Sequence, residues 1–173
     1  MSAATILDRP HAGLLDWLAS HGVEHEVHEH PEAFTARQTA SAEGVDPATF
    51  TKVVVVGTED DRTAMLLVDA IDQVDLHKAR AILDAKDVRL LAEPDAAALT
   101  PGCETGAVPA LGALFDLPMF ADYAVRDDPV ISFNAGSHRF SVRVDRVAWE
   151  RATGVLYADL AIDDDIRPTW ART

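Results

Sequence analysis

Two apolar runs separated by a short acidic segment constrain the fold of this chain more than any other feature. The run KVVVVG covers Lys52 to Gly57, and TAMLLVDA follows it at Thr63 to Ala70, after the segment TEDDR. Short aliphatic runs bounded by turn residues are typical of buried strands. Two such runs joined by so short a polar segment predict a β-hairpin. The sequence therefore predicts a buried strand and its antiparallel partner.

Helical and strand-like patterns alternate along the rest of the chain. Such a mixture indicates an α/β or α+β fold with a mixed sheet. Thr35 is the expected N-cap of the second helix, and Gly44 its end. Helical spacing of apolar residues predicts helices for PHAGLLDWLAS, TARQTASAEG, VDLHKARAILDA and VDRVAWERAT, with a helical turn at EPDAAALT. Strands are predicted for VEHEVHEH, VRLLA, MFADYAV, PVISFNAG and FSVRV, and a long ordered loop for PGCETGAVPALGALFD.

The chain is expected to form a single domain over residues 1–173. The chain has 173 residues, of which 48% are hydrophobic and 25% charged. This length and this hydrophobic content are sufficient for one domain with its own core. The acidic tail DDDIRPTWART, residues 163–173, is predicted to be flexible or folded back through Ile166 and Trp170.

Charge and apolar content limit the partners and the compartment. Lysine and arginine number 15 against 29 aspartates and glutamates, and the formal charge of -14 argues against non-specific binding of nucleic acid. A nucleic-acid partner would have to bind at a local site that the overall negative charge does not dominate, or with the help of another protein. No apolar stretch approaches the roughly 20 residues of a membrane helix, and the N-terminus lacks a basic segment before an apolar run. With the single cysteine, Cys103, these features favour a cytoplasmic protein.

Lys52 stands at the start of the buried strand, where a lysine is unexpected. An ammonium group is strongly hydrated and is rarely fully buried without a partner. The side chain is either solvated along the surface or part of a site. In a site it serves as a fixed charge for a phosphate or a polarised carbonyl, or as a Schiff-base nucleophile. The neighbouring residues do not select among these interpretations.

A second candidate is the segment TGAVPALG, which contains Gly106, Pro109 and Gly112. Its backbone must turn without a repeating hydrogen-bond pattern, so several amides are expected to face a ligand. Such amides can hold a carbonyl oxygen that gains negative charge during ester hydrolysis. An ordinary irregular connection accounts for the same pattern.

Histidines are concentrated in one short region, with four of the seven between His21 and His30. An exposed polar strand face accounts for them best, because no zinc-type spacing is met. His30 is the best candidate to line a pocket, beside Thr35.

The segment FNAGSHRF suits a tight turn at Asn134 and Gly136 between two strands. Alternatively, Asn134 and His138 present polar groups to a pocket. Cys103 has no basic neighbour in its loop, which disfavours a cysteine nucleophile.

The order of these segments resembles that of a known family. HEHPEAFTARQTA, FTKVVVV, VDLHKARAIL, TGAVPALG and ISFNAGSHRFSVRV succeed one another as in the YbaK family, also called the prolyl-tRNA editing domain or aminoacyl-tRNA deacylase family. The resemblance covers residues 10–152, nearly the whole chain. It implies a mixed, curved central sheet flanked by helices, and a reaction without a metal or other cofactor.

The resemblance also implies which residues form the site. A lysine that opens a core strand and a later glycine-to-proline loop recur in the family, and here they match Lys52 and the loop from Gly106 to Pro109. The implied catalytic residues are Lys52, Gly106, Ala107 and Val108. The implied substrate-binding residues, with the candidates named above, are His30, Thr35, Pro109, Asn134, Gly136 and His138. A departure is the valine after Lys52, where many members have a polar residue.

The implied function is trans-editing, which protects translation fidelity. The ester between a wrong, small amino acid and the 3′-terminal adenosine of a tRNA, first of all the tRNA for proline, would be hydrolysed. Lys52 would hold the terminal phosphate or the ester end, and the amides from Gly106 to Val108 would bind the oxyanion. A partner synthetase would supply most of the affinity for tRNA. Neither DNA nor a membrane is an expected partner.

Two other function classes stay open at this stage. One is a binding protein that keeps the pocket but lacks catalysis, for a small aminoacyl or nucleotide ligand or a synthetase. The other is a hydrolase of a small ester unrelated to tRNA. A neutral or positive rim around Lys52 would favour tRNA, and uniform acidity a small ligand.

Overall fold

The computed structural model describes residues 9–163, which contain six helices and eight strands. Two short 3₁₀ helices, Pro47–Thr49 and Gly112–Phe115, complete the regular structure of this part. The elements in chain order are α1 (Ala12–Ser20), β1 (His25–Glu29), α2 (Ala36–Glu43), β2 (Thr51–Thr58), β3 (Thr63–Asp69), α3 (Leu76–Ile82), β4 (Val88–Leu90), α4 (Glu93–Leu99), β5 (Met119–Asp122), α5 (Tyr123–Arg126), β6 (Val130–Ser137), β7 (Phe140–Asp145), α6 (Arg146–Thr153) and β8 (Leu156–Ala158).

The predicted hairpin is confirmed and lies inside a five-stranded sheet. Strands β2 and β3 pair antiparallel, from Thr51 opposite Asp69 to Gly57 opposite Thr63. The strand order is β4-β2-β3-β5-β8, in which β4 is antiparallel to β2 while β5 and β8 continue the sheet in parallel. The sheet is therefore mixed, as the sequence predicts, and both hairpin strands are interior.

A second sheet, which the sequence patterns did not separate from the first, has the order β1-β7-β6 and is antiparallel throughout. A single parallel bridge between Phe50 and Ser132 joins it to the start of β2. The two sheets therefore meet at the start of β2, next to Lys52.

The hairpin is covered on both faces. Met65 and Leu67 belong to a core that includes Phe133 of the second sheet and Trp149 of α6. The alternate residues of β3 pack in a separate core with α3 and Leu160. Because side chains alternate along a strand, an apolar run without alternation requires such coverage of both faces.

Helix α2 begins and ends where the sequence predicts. The Thr35 hydroxyl accepts a hydrogen bond from the Gln38 amide, and the Gln38 side chain accepts one from the Thr35 amide. This reciprocal capping box satisfies two amides that the first turn leaves unpaired. Gly44 ends the helix with φ 74°.

Two strand predictions are wrong in part. The strand predicted for MFADYAV stops at Asp122, because the Asp122 carboxylate accepts a hydrogen bond from the Ala124 amide and so caps α5. The tight turn predicted at Asn134 and Gly136 is also wrong, since both residues lie within β6. The turn comes at His138 and Arg139, and the earlier irregularity is a register shift between Asn134 and Ser137.

The tail prediction, with Ile166 and Trp170, falls outside the described residues. The single-domain prediction for residues 1–173 stays a prediction. Within residues 9–163, no helix is long and apolar enough to cross a membrane.

Two hydrogen-bonded carboxyl groups lie near the junction of the sheets. Asp69 ends β3, Asp128 precedes β6, and their side chains bond to each other. Two ionised carboxylates only accept hydrogen bonds, so this contact requires a proton on one of them. Burial, reinforced by the nearby charges of Asp128, Asp72 and Asp122, raises the pKa of Asp69 to about 8. Burial also raises the pKa of Asp128, to about 6.

Replacing the proton-holding carboxyl group should remove a pH dependence of stability. In the folded protein Asp69 retains a proton that it releases in the unfolded chain, so its contribution to the free energy of unfolding should fall as pH rises from about 4 to about 8, by at most about 1.4 kcal/mol per pH unit. Asp69→Asn keeps a donor to Asp128 without needing that proton. Urea unfolding across this range should show a flatter pH profile for Asp69→Asn than for the wild type.

The exposed carboxylate of Asp87 offers the matched control, Asp87→Asn, for the loss of one negative charge. An equally steep profile in the wild type and in Asp69→Asn would contradict the shared-proton assignment.

Candidate active site

The predicted long loop between α4 and β5 is fastened to the irregular part of β6. The Gly136 amide donates to the carbonyl oxygen of Ala107 at 2.9 Å, and the Glu104 amide donates to that of Gly136 at 2.9 Å. Gly136 has φ +87°, and a Cβ there would lie 2.9 Å from the Cβ of His11. At the far end of the loop, the Trp149 indole donates to the Ala110 carbonyl at 2.8 Å. The loop is thus held in place at both ends.

Several backbone amides of this loop have no protein acceptor among the described residues, and those of Gly106 and Val108 are two of them. The Ala107 amide donates to the Glu104 carbonyl at 3.0 Å and is thereby occupied. In the described part of the chain, the amides of Gly106 and Val108 donate to no other protein group. Gly106 is exposed with φ +83°, and Pro109 is buried behind it. The loop therefore offers two N–H donors around an engaged Ala107, an arrangement suited to an oxyanion.

His138 joins this loop to the segment before α2. Its Nδ1 lies 3.0 Å from the Ala33 carbonyl oxygen, and its Nε2 lies 2.7 Å from that of Thr105. The Glu104 carboxylate is 4.0 Å from Nε2. The Phe34 ring stands 5.0 Å from the imidazole, centre to centre, and is 62% exposed. The structure thus brings His138, Gly136 and the Gly106 loop together, as the sequence-predicted site requires.

His30 and Thr35 lie on the same segment as Phe34. The His30 amide donates to the Arg139 carbonyl at 2.9 Å, which fixes the segment on the β6–β7 turn. The His30 ring is buried, and its Nε2 has no partner within residues 9–163. The Thr35 hydroxyl caps α2 and is exposed. Both predicted residues therefore lie near the loop, His30 with a buried ring nitrogen still to be satisfied.

Asn134 faces away from the core that holds Phe133 and Ala135. It is opposite Ser141 on β7, whose hydroxyl donates to Glu43 at the end of α2. Asn134 is buried, and its Oδ1 has no partner among the described residues. The residue thus lies in the second sheet opposite Ser141, directly before the irregular part of β6.

Lys52 is half-buried and forms a separate group with Arg37. The Lys52 ammonium donates to the carbonyl oxygen of Asp72, while Arg37 donates to those of Ala70 and Ile71. Burial lowers the pKa of Lys52, the Asp72 charge opposes this, and the Arg37 charge lowers the pKa further. Two cations therefore lie side by side in an otherwise acidic chain.

The first turn of α2 separates these two groups. Phe34, just before the helix, contacts His138, whereas Arg37, in the first turn, shares the 70–72 carbonyls with Lys52. Lys52 faces the side of β2 on which Val54 and Val56 pack with α3. Lys52 thus lies next to the start of α2, and it forms no hydrogen bond with His138 or with the loop from Gly106 to Pro109 among the described residues.

Other chemical candidates find no support. Within the described ranges, no three histidine, cysteine or acidic side chains are grouped to hold a metal ion. His28 and Glu26 form an exposed pair on β1, 3.2 Å apart. Burial raises the pKa of the Cys103 thiol to about 12, so the thiolate nucleophile is disfavoured at neutral pH.

Sequence reasoning missed three residues of the site. Phe34 precedes an N-cap, where an apolar residue usually packs on its own helix, but here its ring is 62% exposed and contacts His138. Arg37 and Glu104 read as ordinary surface charges. Their partners lie more than 30 positions away, so no local signal could have identified them.

The profile of the aminoacyl-tRNA editing domain family matches residues 30–152. Proline–tRNA ligases from two strains of Acidithiobacillus ferrooxidans are each 30% identical over 121 residues, which are 70% of this chain but 20% of the ligases. This chain therefore spans about a fifth of these relatives' length.

Solved structures share the fold. The crystal structure of a proposed trans-editing enzyme for prolyl tRNA synthetase has 25% identity and a TM-score of 0.76, over 87% of this chain and 95% of the other. A hypothetical protein with 16% identity and a TM-score of 0.79, over 86% and 99% of the two chains, is similar in fold alone.

Substituting Gly136 should destabilise the site through backbone strain and crowding. A left-handed conformation costs a non-glycine residue about 1–2 kcal/mol, and the new Cβ would also press against His11. Gly136→Ala should therefore lower the free energy of unfolding in urea by more than this strain. The matched control is Gly22→Ala, at φ +68° with nothing within 4 Å of the added Cβ. Equal losses in both variants would show that the His11 contact does not constrain the loop.

Proposed function

This chain belongs to the aminoacyl-tRNA editing domain family, and from that premise we propose that it is a deacylase of mischarged tRNA. The observation that carries the proposal is the pair of unengaged amides, at Gly106 and Val108, in a loop anchored inside the matched region. The proposed substrate is the ester that links a small amino acid to the 3′-terminal adenosine.

The proposed chemistry places the loop amides at the carbonyl oxygen of the ester. Attack on the ester carbon puts negative charge on that oxygen, and fixed N–H donors stabilise it more than they stabilise the neutral ester. Gly106 and Val108 supply the donors, and Ala107 fixes their spacing through its bond to Glu104. The attacking oxygen is that of a water or of the substrate itself, positioned by binding.

Lys52 and Arg37 supply the positive charge that a tRNA end needs. The formal charge of -14 opposes tRNA approach over the surface as a whole, so attraction has to be local. The two cations are adjacent, and each is held by backbone carbonyls. An ammonium on a fixed stem suits a terminal phosphate as a point charge, and the guanidinium beside it has donors to spare.

The remaining predicted residues shape the aminoacyl end. The buried His30 Nε2 and Asn134 Oδ1 are polar atoms with no partner among the described residues, and a bound amino group or water would satisfy them. Thr35 presents a hydroxyl at the helix start, and Pro109 closes the loop. These four residues are proposed to orient the substrate rather than to react with it.

Selection of a small amino acid follows from the limits of a synthetase pocket. One methylene discriminates by only about 1–3 kcal/mol, so errors with similar amino acids require a second, hydrolytic site. The similarity to proline–tRNA ligases supports proline tRNA as the substrate and a synthetase as partner, and alanine and cysteine are the amino acids to test first.

Removing the Lys52 charge should impair deacylation. A hydrogen bond to a charged group contributes about 1.5–3 kcal/mol, so Lys52→Ala should lower kcat/KM for alanyl and cysteinyl proline tRNA by about 10- to 100-fold. Lys86→Ala, which removes an exposed lysine elsewhere, is the matched control and should match the wild type. Release of the amino acid from each purified mischarged tRNA measures the rate.

Full activity of Lys52→Ala on every mischarged tRNA tested would contradict the proposed role of the lysine. A folded wild-type protein that hydrolyses none of them would contradict the deacylase proposal. Retained binding of the aminoacylated 3′ end in that case would favour a binding protein.

A further inference from the structure

We propose that His138 is a doubly protonated clamp that positions the Gly106–Pro109 loop. The imidazolium would hold Thr105, directly before the loop, and Ala33, directly before Phe34, at a fixed separation. The catalytic consequence rests on the proposed deacylase function, whereas the protonation of the ring does not.

The hydrogen-bond partners of the ring decide its protonation. Nδ1 lies 3.0 Å from the Ala33 carbonyl oxygen and Nε2 lies 2.7 Å from the Thr105 carbonyl oxygen. A carbonyl oxygen only accepts, and a neutral imidazole has one N–H. A neutral ring would therefore turn one nitrogen lone pair towards a carbonyl oxygen at hydrogen-bond distance. Since His138 is 6% exposed, solvent has little access to relieve that contact.

His11 shows the contrasting arrangement in the same protein. Its Nδ1 accepts a hydrogen bond from the Leu14 amide at 3.2 Å, and its Nε2 lies 3.2 Å from the Pro101 carbonyl oxygen. One acceptor and one donor are what a neutral ring supplies. The fold thus offers His138 two acceptors where it offers His11 one donor and one acceptor.

Glu104 compensates the charge of the clamp. Its carboxylate lies 4.0 Å from Nε2, its Oε1 accepts from the His138 amide at 3.4 Å, and its side chain is only 19% exposed. This carboxylate supplies the negative charge that an imidazolium with little access to solvent would otherwise lack. The other titratable or charged groups of the packed segments are His11, His30, Glu32, Cys103 and Arg139. Burial raises the pKa of Cys103 to about 12, so its thiol is neutral at moderate pH.

Loss of one proton would release one end of the clamp. The ring would then bond to Ala33 or to Thr105 but not to both, and the lone pair on the other nitrogen would repel the remaining carbonyl. Thr105 precedes Gly106, so its displacement would move the proposed oxyanion donors. A displacement of about 1 Å in catalytic geometry can cost about 100-fold in rate.

Nitrogen NMR of the full chain tests the protonation without any assay of activity. Long-range ¹H–¹⁵N spectra, with the His138 signals assigned by their absence in His138→Gln, should show both ring nitrogens protonated on the acid side of a titration from about pH 5 to about pH 9. The amide signals of Gly106 and Val108 should shift with the ring. A neutral ring throughout, or loop amides that do not follow the ring, would overturn the clamp.

Deacylation kinetics test the positioning role. Glu104→Gln keeps the side-chain shape but removes the compensating charge, so the pH dependence of the ring signals and that of kcat should change together, with KM little changed. His77→Gln, at an exposed histidine on α3, is the control and should leave the wild-type profile unchanged. A ring transition that moves while the kcat profile does not would overturn the positioning role and leave the deacylase proposal intact.

Discussion

Burial of the β2–β3 hairpin on both of its faces is the constraint on which the rest of this structure depends. Alternate residues of β3 pack against the second sheet with α6 and against α3 with Leu160. Neither face could be left in water without exposing a continuous aliphatic surface. The strands therefore have to be interior, and the remaining elements are arranged so as to cover them.

Polar groups are found where this apolar pair ends. Lys52 and Asp69 are close to the end of the hairpin, where the bridge between Phe50 and Ser132 joins the two sheets. Both are partly or fully buried there, and each has a pKa displaced from its ordinary value by that burial. Two groups with pKa values shifted by burial thus lie at the junction of the sheets. Such shifted pKa values are common at functional sites.

The candidate site depends on backbone groups more than on side chains. The Gly136 amide holds the loop through the carbonyl oxygen of Ala107, and the amides of Gly106 and Val108 have no acceptor among the described residues. His138 and Trp149 hold the loop through carbonyl oxygens, so their roles do not require contact with a substrate. In the proposed function, Arg37 and Lys52 would attract the tRNA end locally, which would reconcile tRNA binding with the acidic surface.

Local patterns determined the elements, and distant contacts decided the site. The aliphatic runs, the Thr35 cap and the Gly44 stop act over a few residues, so the sequence alone predicted the hairpin and α2. The predicted strand through Asp122 was wrong because Asp122 caps the helix that follows it. The predicted turn at Gly136 was wrong because Gly136 belongs to an irregular part of β6 that bonds to the distant loop. Ala33 and His138 are 105 positions apart, and only the tertiary structure brings them together. Which amides have a protein acceptor, and which carboxyl groups keep a proton, depends on the three-dimensional placement of acceptors and on burial, because both act through space and not along the chain.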